Sequence, residues 1–196
     1  MAKIKSKANG TKKETILEEA AILFHEKGFS ATSMRDLAEH VGVEAASLYN
    51  HIHSKSEILE AICAKVADGF MTTLQRVEES QHSPLKKVEM LIRFHVQKMI
   101  NDYANVYVSD REWKHLTDPF LSEYLSQRRS YRRRFALLIE EGIQKKEIKA
   151  IDPTTAVLIM LHAVGGIESW HRSKRKISAA LLEENMVTIL VEGLKK

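Results

Sequence analysis

Residues 20–59, AAILFHEKGFSATSMRDLAEHVGVEAASLYNHIHSKSEIL, decide how this chain folds. Just upstream, Thr11 and Glu14 have the spacing of a capping box, in which hydroxyl and carboxylate satisfy each other's free backbone N–H groups, so a first helix starts there. Ile16, Leu17, Ala20, Ala21, Leu23 and Phe24 recur with the helical period, and Gly28 supplies the positive-φ residue that commonly ends a helix. Thr32 and Ser33 can cap a second helix with Met34, Leu37, Ala38 and Val41 turned inward, after which Gly42 lets the chain reverse. A third helix is expected over residues 44–51, with Leu48 and Ile52 inward. Two short helices joined by a glycine turn form a helix-turn-helix, whose second helix enters the major groove of DNA. Ser54 and Glu57 repeat the capping-box spacing, so a fourth helix begins there and runs to about Ser80.

Outward from this head, the chain reads as helices to its end. Ser83-Pro84 opens a long helix expected to reach about Asn105; further starts fall at Thr117-Asp118-Pro119 and Asp152-Pro153. Ser178 opens a terminal helix containing Leu181, Leu182, Met186, Ile189, Leu190 and Leu194. Only three prolines and eight glycines punctuate 196 residues, a composition of packed helices rather than of short strands. The expectation is an all-α fold of about nine helices: a three-helix head, residues 1–55, on a larger helical bundle, residues 56–196.

No apolar run approaches the ~18 residues needed to cross a bilayer, and the chain begins basic and polar, so no membrane partner and a cytoplasmic location are expected. The lone Cys63 falls at apolar helical spacing with Leu59, Ile62 and Val66 and reads as core. A net charge of +4 does not prove a polyanion partner, but Lys3, Lys5, Lys7, Lys12 and Lys13 crowd the first thirteen residues. Such an arm either touches phosphate or is a solvated tail. Enzymatic chemistry finds no support: none of the nine histidines forms an i, i+4 pair around a glutamate, no glycine-rich loop follows a strand, and Cys63 has no base partner. His51 and His53, two apart at a helix end, are poor joint metal ligands. No catalytic residue, metal or cofactor is expected.

In order along the chain, Gly28-Phe29, Thr32-Ser33, Leu37-Ala38, Val41-Gly42-Val43, Leu48-Tyr49, His51 and Ser54-Lys55 resemble the DNA-binding head of tetracycline-repressor (TetR) type regulators. The resemblance implies that Thr32, Ser33, Tyr49, His51 and Lys55 grip phosphates, which position a protein without reading sequence. Base reading falls to the outward face of the third helix, where Ala45 and Ala46 offer methyls to thymine and Asn50 offers an amide to adenine, with Ser47 beside them. Many members carry a long polar residue at the position of Ala45 and an aromatic at that of Asn50, so no operator sequence carries over. A dimer would read a near-palindrome. Read without the resemblance, Thr32 and Ser33 are ordinary caps.

The resemblance also implies dimerisation through the last two long helices, which present Leu161, Val164 and Gly165, and Met186, Ile189 and Leu190. The alternative is that these residues pack only within one chain. Residues 111–172 resemble a branch of the family that senses acyl-coenzyme A thioesters in fatty-acid, aromatic and steroid breakdown. Coenzyme A carries phosphates, which arginine binds in a bidentate fork. Arg128, Arg129, Arg132, Arg133 and Arg134 lie together, with Arg128 and Arg132 on one helix face. The expected effector contacts are Trp113, Arg128, Tyr131, Arg132, His162 and Trp170. The branch usually has an aromatic at the position of His171 and a glycine-rich turn soon after, whereas Ser173-Lys174-Arg175-Lys176 follows here, which leaves the ligand class open. An efflux-pump repressor sensing lipophilic cations through Asp102, Asp110 or Glu168 is the rival reading; a helical scaffold without DNA binding, or an enzyme, is the rival of another class.

Overall fold

The computed structural model describes residues 11–174 and 177–196. The chain forms α1 (Lys12–Lys27), α2 (Met34–Val41), α3 (Ala45–Tyr49), α4 (Lys55–Glu79), α5 (Pro84–Asn101), α6 (Tyr103–Arg111), a 3₁₀ turn (Trp113–His115), α7 (Phe120–Gln144), α8 (Pro153–Gly165), α9 (Ile167–Arg172) and α10 (Ala179–Val187). A π-type turn, Thr188–Glu192, prolongs α10. The fold is all-α; among the described residues the β contact is an isolated bridge between Ile148 and Lys195. Of the basic arm, Lys3, Lys5 and Lys7 lie outside the described residues.

Local chemistry sets the helix starts. Thr11 and Glu14 form a reciprocal capping box, with Thr11 N–H 2.7 Å from the Glu14 carboxylate and Glu14 N–H 3.2 Å from Thr11 Oγ1. Ser33 and Asp36 form a second at the start of α2. Ser83 with Pro84, Asp152 with Pro153, and Ser178 cap α5, α8 and α10. At the head of α4, Glu57 N–H donates to Ser54 Oγ, but the Glu57 carboxylate reaches one residue further back, to His53 N–H at 2.8 Å. Gly42 closes α2 in the left-handed conformation, φ 76° and ψ 34°, which glycine adopts without a Cβ penalty.

Two expected elements differ. The long helix through residue 105 breaks at Asp102, whose φ of −131° leaves the helical region; the chain restarts as α6, with the Lys98 ammonium 2.9 Å from the Asp102 carboxylate. The element opened by Pro153 is interrupted at Gly166, which stays right-handed at φ −61° and ψ −14° and serves as cap to both α8 and α9. Counted as one element, α8 and α9 bring the helices to about nine.

The chain divides into two compact units: residues to Asp68 with Ala104–Leu125, and Gly69–Tyr103 with Ser126–Lys196. In the first, Phe24, Leu37, Leu48, Ile52, Ile58 and Leu59 are wholly buried, and Cys63 joins them as core. In the second, the fully buried residues include Leu91, Ile92 and Val96 of α5 and Phe135 and Ile139 of α7; Val157, Met160 and Val164 of α8 are also buried. These are units of packing; the expected boundary after residue 55 is one of role.

Candidate nucleic-acid interface and sensing site

The head is aimed by one buried side chain. Leu48 is sealed in the core, and 100° per residue then turns Ala46 and Asn50 to the opposite face of α3, with Ala45 and Tyr49 flanking. Ala45, Ala46, Ser47, Tyr49 and Asn50 are all exposed, and His51 is half-buried. The helix is shorter than the expected span: it ends at Tyr49, and Asn50 continues in helical conformation as its cap.

Three of the five expected phosphate donors, Thr32, Ser33 and Lys55, have internal partners. Thr32 is 2 % exposed and its hydroxyl donates to the Gly28 carbonyl at 2.8 Å, so it braces the segment before α2 instead of opening the helix. Ser33 is the true cap, and its hydroxyl donates to Asp36, whose carboxyl is held below the usual range by Ser33's hydroxyl and backbone N–H. The Lys55 ammonium donates to the Phe29 carbonyl at 2.7 Å and sits 4.4 Å above the Phe29 ring. On that ring His115 stacks at 5.1 Å.

In the second unit, Phe70 of α4, Phe94 and His95 of α5, and Tyr131 and Phe135 of α7 form an aromatic cluster. Phe70 meets Phe94, His95 and Tyr131 at 5.1, 4.6 and 5.8 Å. Its polar atoms pair with each other: His95 Nε2 and Tyr131 Oη lie 2.7 Å apart. Desolvation lowers the His95 pKa to about 3 and raises that of Tyr131, so both are neutral at ordinary pH.

The other expected effector contacts each have their own surroundings. Trp113 belongs to the first unit, packed on the head core. His162 is exposed on α8 and bonded through Nδ1 to the Leu158 carbonyl of its own helix. Trp170 donates to the Ile177 carbonyl at 3.0 Å, tying α9 to the start of α10. On α7, Arg128 is half-buried and Arg129, Arg132 and Arg133 are exposed, while Arg134 is paired with Glu78. Of the residues expected at a dimer face, Val164 is buried within its own unit, whereas Gly165 and Ile189 are exposed and Leu161, Met186 and Leu190 half-exposed. Leu158, Ile159 and Leu181 are further exposed apolar residues, Ile159 at 59 % and Ile189 at 70 % exposure.

The family profile described as "Tetracyclin repressor-like, C-terminal domain" matches residues 81–194, and that of "Bacterial regulatory proteins, tetR family" matches residues 16–62. The chain belongs to the TetR family. It is therefore a helix-turn-helix transcriptional regulator, and its relatives are regulators rather than enzymes. It is 22 % identical to the transcriptional repressor KstR2 of Mycolicibacterium smegmatis over 186 residues, covering 94 % of this chain and 91 % of that one. The structure of the ketosteroid regulator KstR2 of Mycobacterium tuberculosis superposes with a TM-score of 0.88 at 21 % identity, covering 99 % of this chain and 100 % of that one. That of AibR in complex with isovaleryl coenzyme A and operator DNA gives 0.80 at 24 %, covering 92 % and 98 %. At such identities these structures establish the TetR fold.

Sequence reading missed His95 and Phe70 in this TetR chain. A signal existed: His95 falls in the stripe Leu91, Ile92, Val96 and Met99, the buried side of α5, where a histidine has to find a partner. No helix among the described residues is long and apolar enough to cross a membrane, and these residues hold no group of three or more potential metal ligands.

Proposed function

We propose that this TetR regulator is a cytoplasmic, homodimeric repressor, without catalytic activity, whose hold on a near-palindromic operator is released by a small effector of the acyl-coenzyme A class. Residues 1–55 read DNA and residues 56–196 dimerise and sense. The orientation of α3 carries the first half: burial of Leu48 leaves Ala45, Ala46, Ser47 and Asn50 as an outward patch for base edges. Ser33, Tyr49, His51 and Lys55 surround it as phosphate donors; Lys55 has donors to spare, since an ammonium carries three N–H groups. Thr32 holds their loop from within.

For the sensing half, the combination of a buried aromatic cluster with arginines on the same helix suits an effector with an apolar body and anionic groups. Tyr131 serves the first and Arg128 and Arg132 the second, while His162 moves from the effector site to the dimer face. That face consists of Leu161, Gly165, Met186, Ile189 and Leu190 with Ile159, where exposed apolar area asks for a second copy. The isovaleryl coenzyme A bound by AibR is consistent with this chemistry. Effector favours a body conformation that sets the two α3 helices at the wrong separation, and it shifts that balance only by its differential affinity.

The test is operator release by the full-length protein on the DNA upstream of its own gene. Acyl-coenzyme A thioesters should dissociate the complex and raise the protein's thermal midpoint, while matched free acids and lipophilic cations do neither. Release by the cations alone would overturn the effector class; tighter DNA binding with every effector would overturn the sign.

A further inference from the structure

The His95–Tyr131 pair is unusual in its surroundings. Every ring in contact with it is aromatic and uncharged, and the two polar atoms have been taken out of water only to face each other. A fully apolar core at this place would avoid that desolvation. The cluster is also not closed: Phe70, Phe94 and His95 keep accessible surface, although the Phe70 ring touches those of Phe94 and His95, while Tyr131 is 6 % exposed and Phe135 wholly buried. An apolar group can therefore lie against these rings and bring its own polar atom to the pair.

We propose that Tyr131, backed by His95, is the hydrogen-bond donor that reads a carbonyl oxygen in the apolar part of the effector. This rests on the acyl-coenzyme A reading above and adds what that reading leaves open, namely which atom of the acyl end is recognised. The chemistry of the pair selects a neutral acceptor. With His95 carrying its proton on Nε2, the imidazole donates to the tyrosine oxygen, and the phenolic O–H is left to donate to a ligand; the alternative tautomer, in which Tyr131 donates to Nε2, serves the empty state. The change between them moves no net charge. Because burial keeps both groups neutral, the pair itself offers no counter-charge to a carboxylate or an ammonium, and burying either against it would be penalised by desolvation. A site built to donate one hydrogen bond rejects analogues that lack the acceptor. The carbonyl is either that of the thioester or a ketone on the acyl body.

Two ligand pairs separate these sources in the full-length protein by titration calorimetry. Octanoyl-coenzyme A is compared with its S-octyl thioether, which lacks the thioester carbonyl; 3-oxo-octanoyl-coenzyme A is compared with octanoyl-coenzyme A, which lacks the ketone. The wild-type protein should favour the carbonyl-bearing member of one pair by about 10-fold, the worth of one hydrogen bond in a desolvated site. Tyr131→Phe should bring that ratio near one, and His95→Phe should reduce it. The wild-type comparison needs no variant, so a misfolded mutant does not blunt it. Binding of all three compounds without preference in either pair would overturn the assignment and leave the effector class standing. An unchanged ratio in Tyr131→Phe would also overturn it. Binding of none of the compounds would refute the effector class itself, and this assignment with it.

Discussion

Lys55 is proposed to serve two ends. Its ammonium fastens to the Phe29 carbonyl and ring while the side chain remains half-exposed. Lys55→Met should weaken binding to operator and unrelated DNA alike, by about 10-fold, and lower the slope of log affinity against log salt by about 1; an electrophoretic titration over a salt series measures both. Leu48 is the opposite kind of residue, invisible to DNA yet the one that aims α3. Leu48→Ala should cost about 2–5 kcal/mol by urea unfolding, since it empties a wholly buried site. His95 makes acid a selective stress. Its folded pKa of about 3 lies below the ordinary 6.5, so the unfolded chain takes up a proton that the folded one refuses. The contribution is complete above pH 6.5 and lost as pH falls towards 3. Lowering the pH from 6.5 to 5 should cost about 1–2 kcal/mol through this group, and the His95→Phe protein should show a correspondingly smaller loss in urea titrations at the two values.

At the scale of elements, the helix starts were legible in the sequence because they are local: Thr11-Glu14, Ser33-Asp36, Ser83-Pro84, Asp152-Pro153 and Ser178 each carry their own cap chemistry within four residues. The break at Asp102 carries no proline or glycine and was not. The proposed sensing residues were hard for the same reason in reverse: His95, Phe70 and Tyr131 stand on three helices and meet only through tertiary packing, so no spacing announces them. Nor does spacing tell which face of α8 is inward, and Val164 turned out to be buried while His162 faced out. The C-terminal end of α7 offers a test of packing between elements. Ile148 lies over Gly142 so closely that a Cβ there would come within 2.5 Å of its side-chain Cδ1. Gly142→Ala should therefore destabilise the protein by about 1–3 kcal/mol in spite of alanine's better helix propensity, as read by thermal or urea unfolding.

For the whole molecule, the assignment to a helical DNA-binding regulator followed from one forty-residue stretch, because reading a duplex with a short helix demands a fixed sequence of caps, turns and inward residues. What the regulator responds to is not written in any one stretch, since the proposed sensing residues come from distant segments. The proposed two-fold assembly joins both matters. Ile159→Asp with Ile189→Asp places charge on exposed apolar positions of α8 and of the turn after α10, and should convert the proposed dimer to a monomer in sedimentation equilibrium. Operator affinity should fall by more than 100-fold in the same protein, since one head alone reads half a site. A dimer that survives the double substitution would place the interface elsewhere.

The clamp on Phe29 bears finally on speed. With the Lys55 ammonium on one side and the His115 ring stacked on it, the loop between α1 and α2 is already ordered before any duplex arrives. That loop then adds no ordering entropy to the encounter, and arrival at DNA is expected to be set by electrostatic steering rather than by folding of this loop. In stopped-flow traces, the association rate constant should drop steeply with added salt and change little with a modest rise in temperature. Phe29→Leu, which loosens the clamp while keeping an apolar side chain, should slow association more than it hastens release.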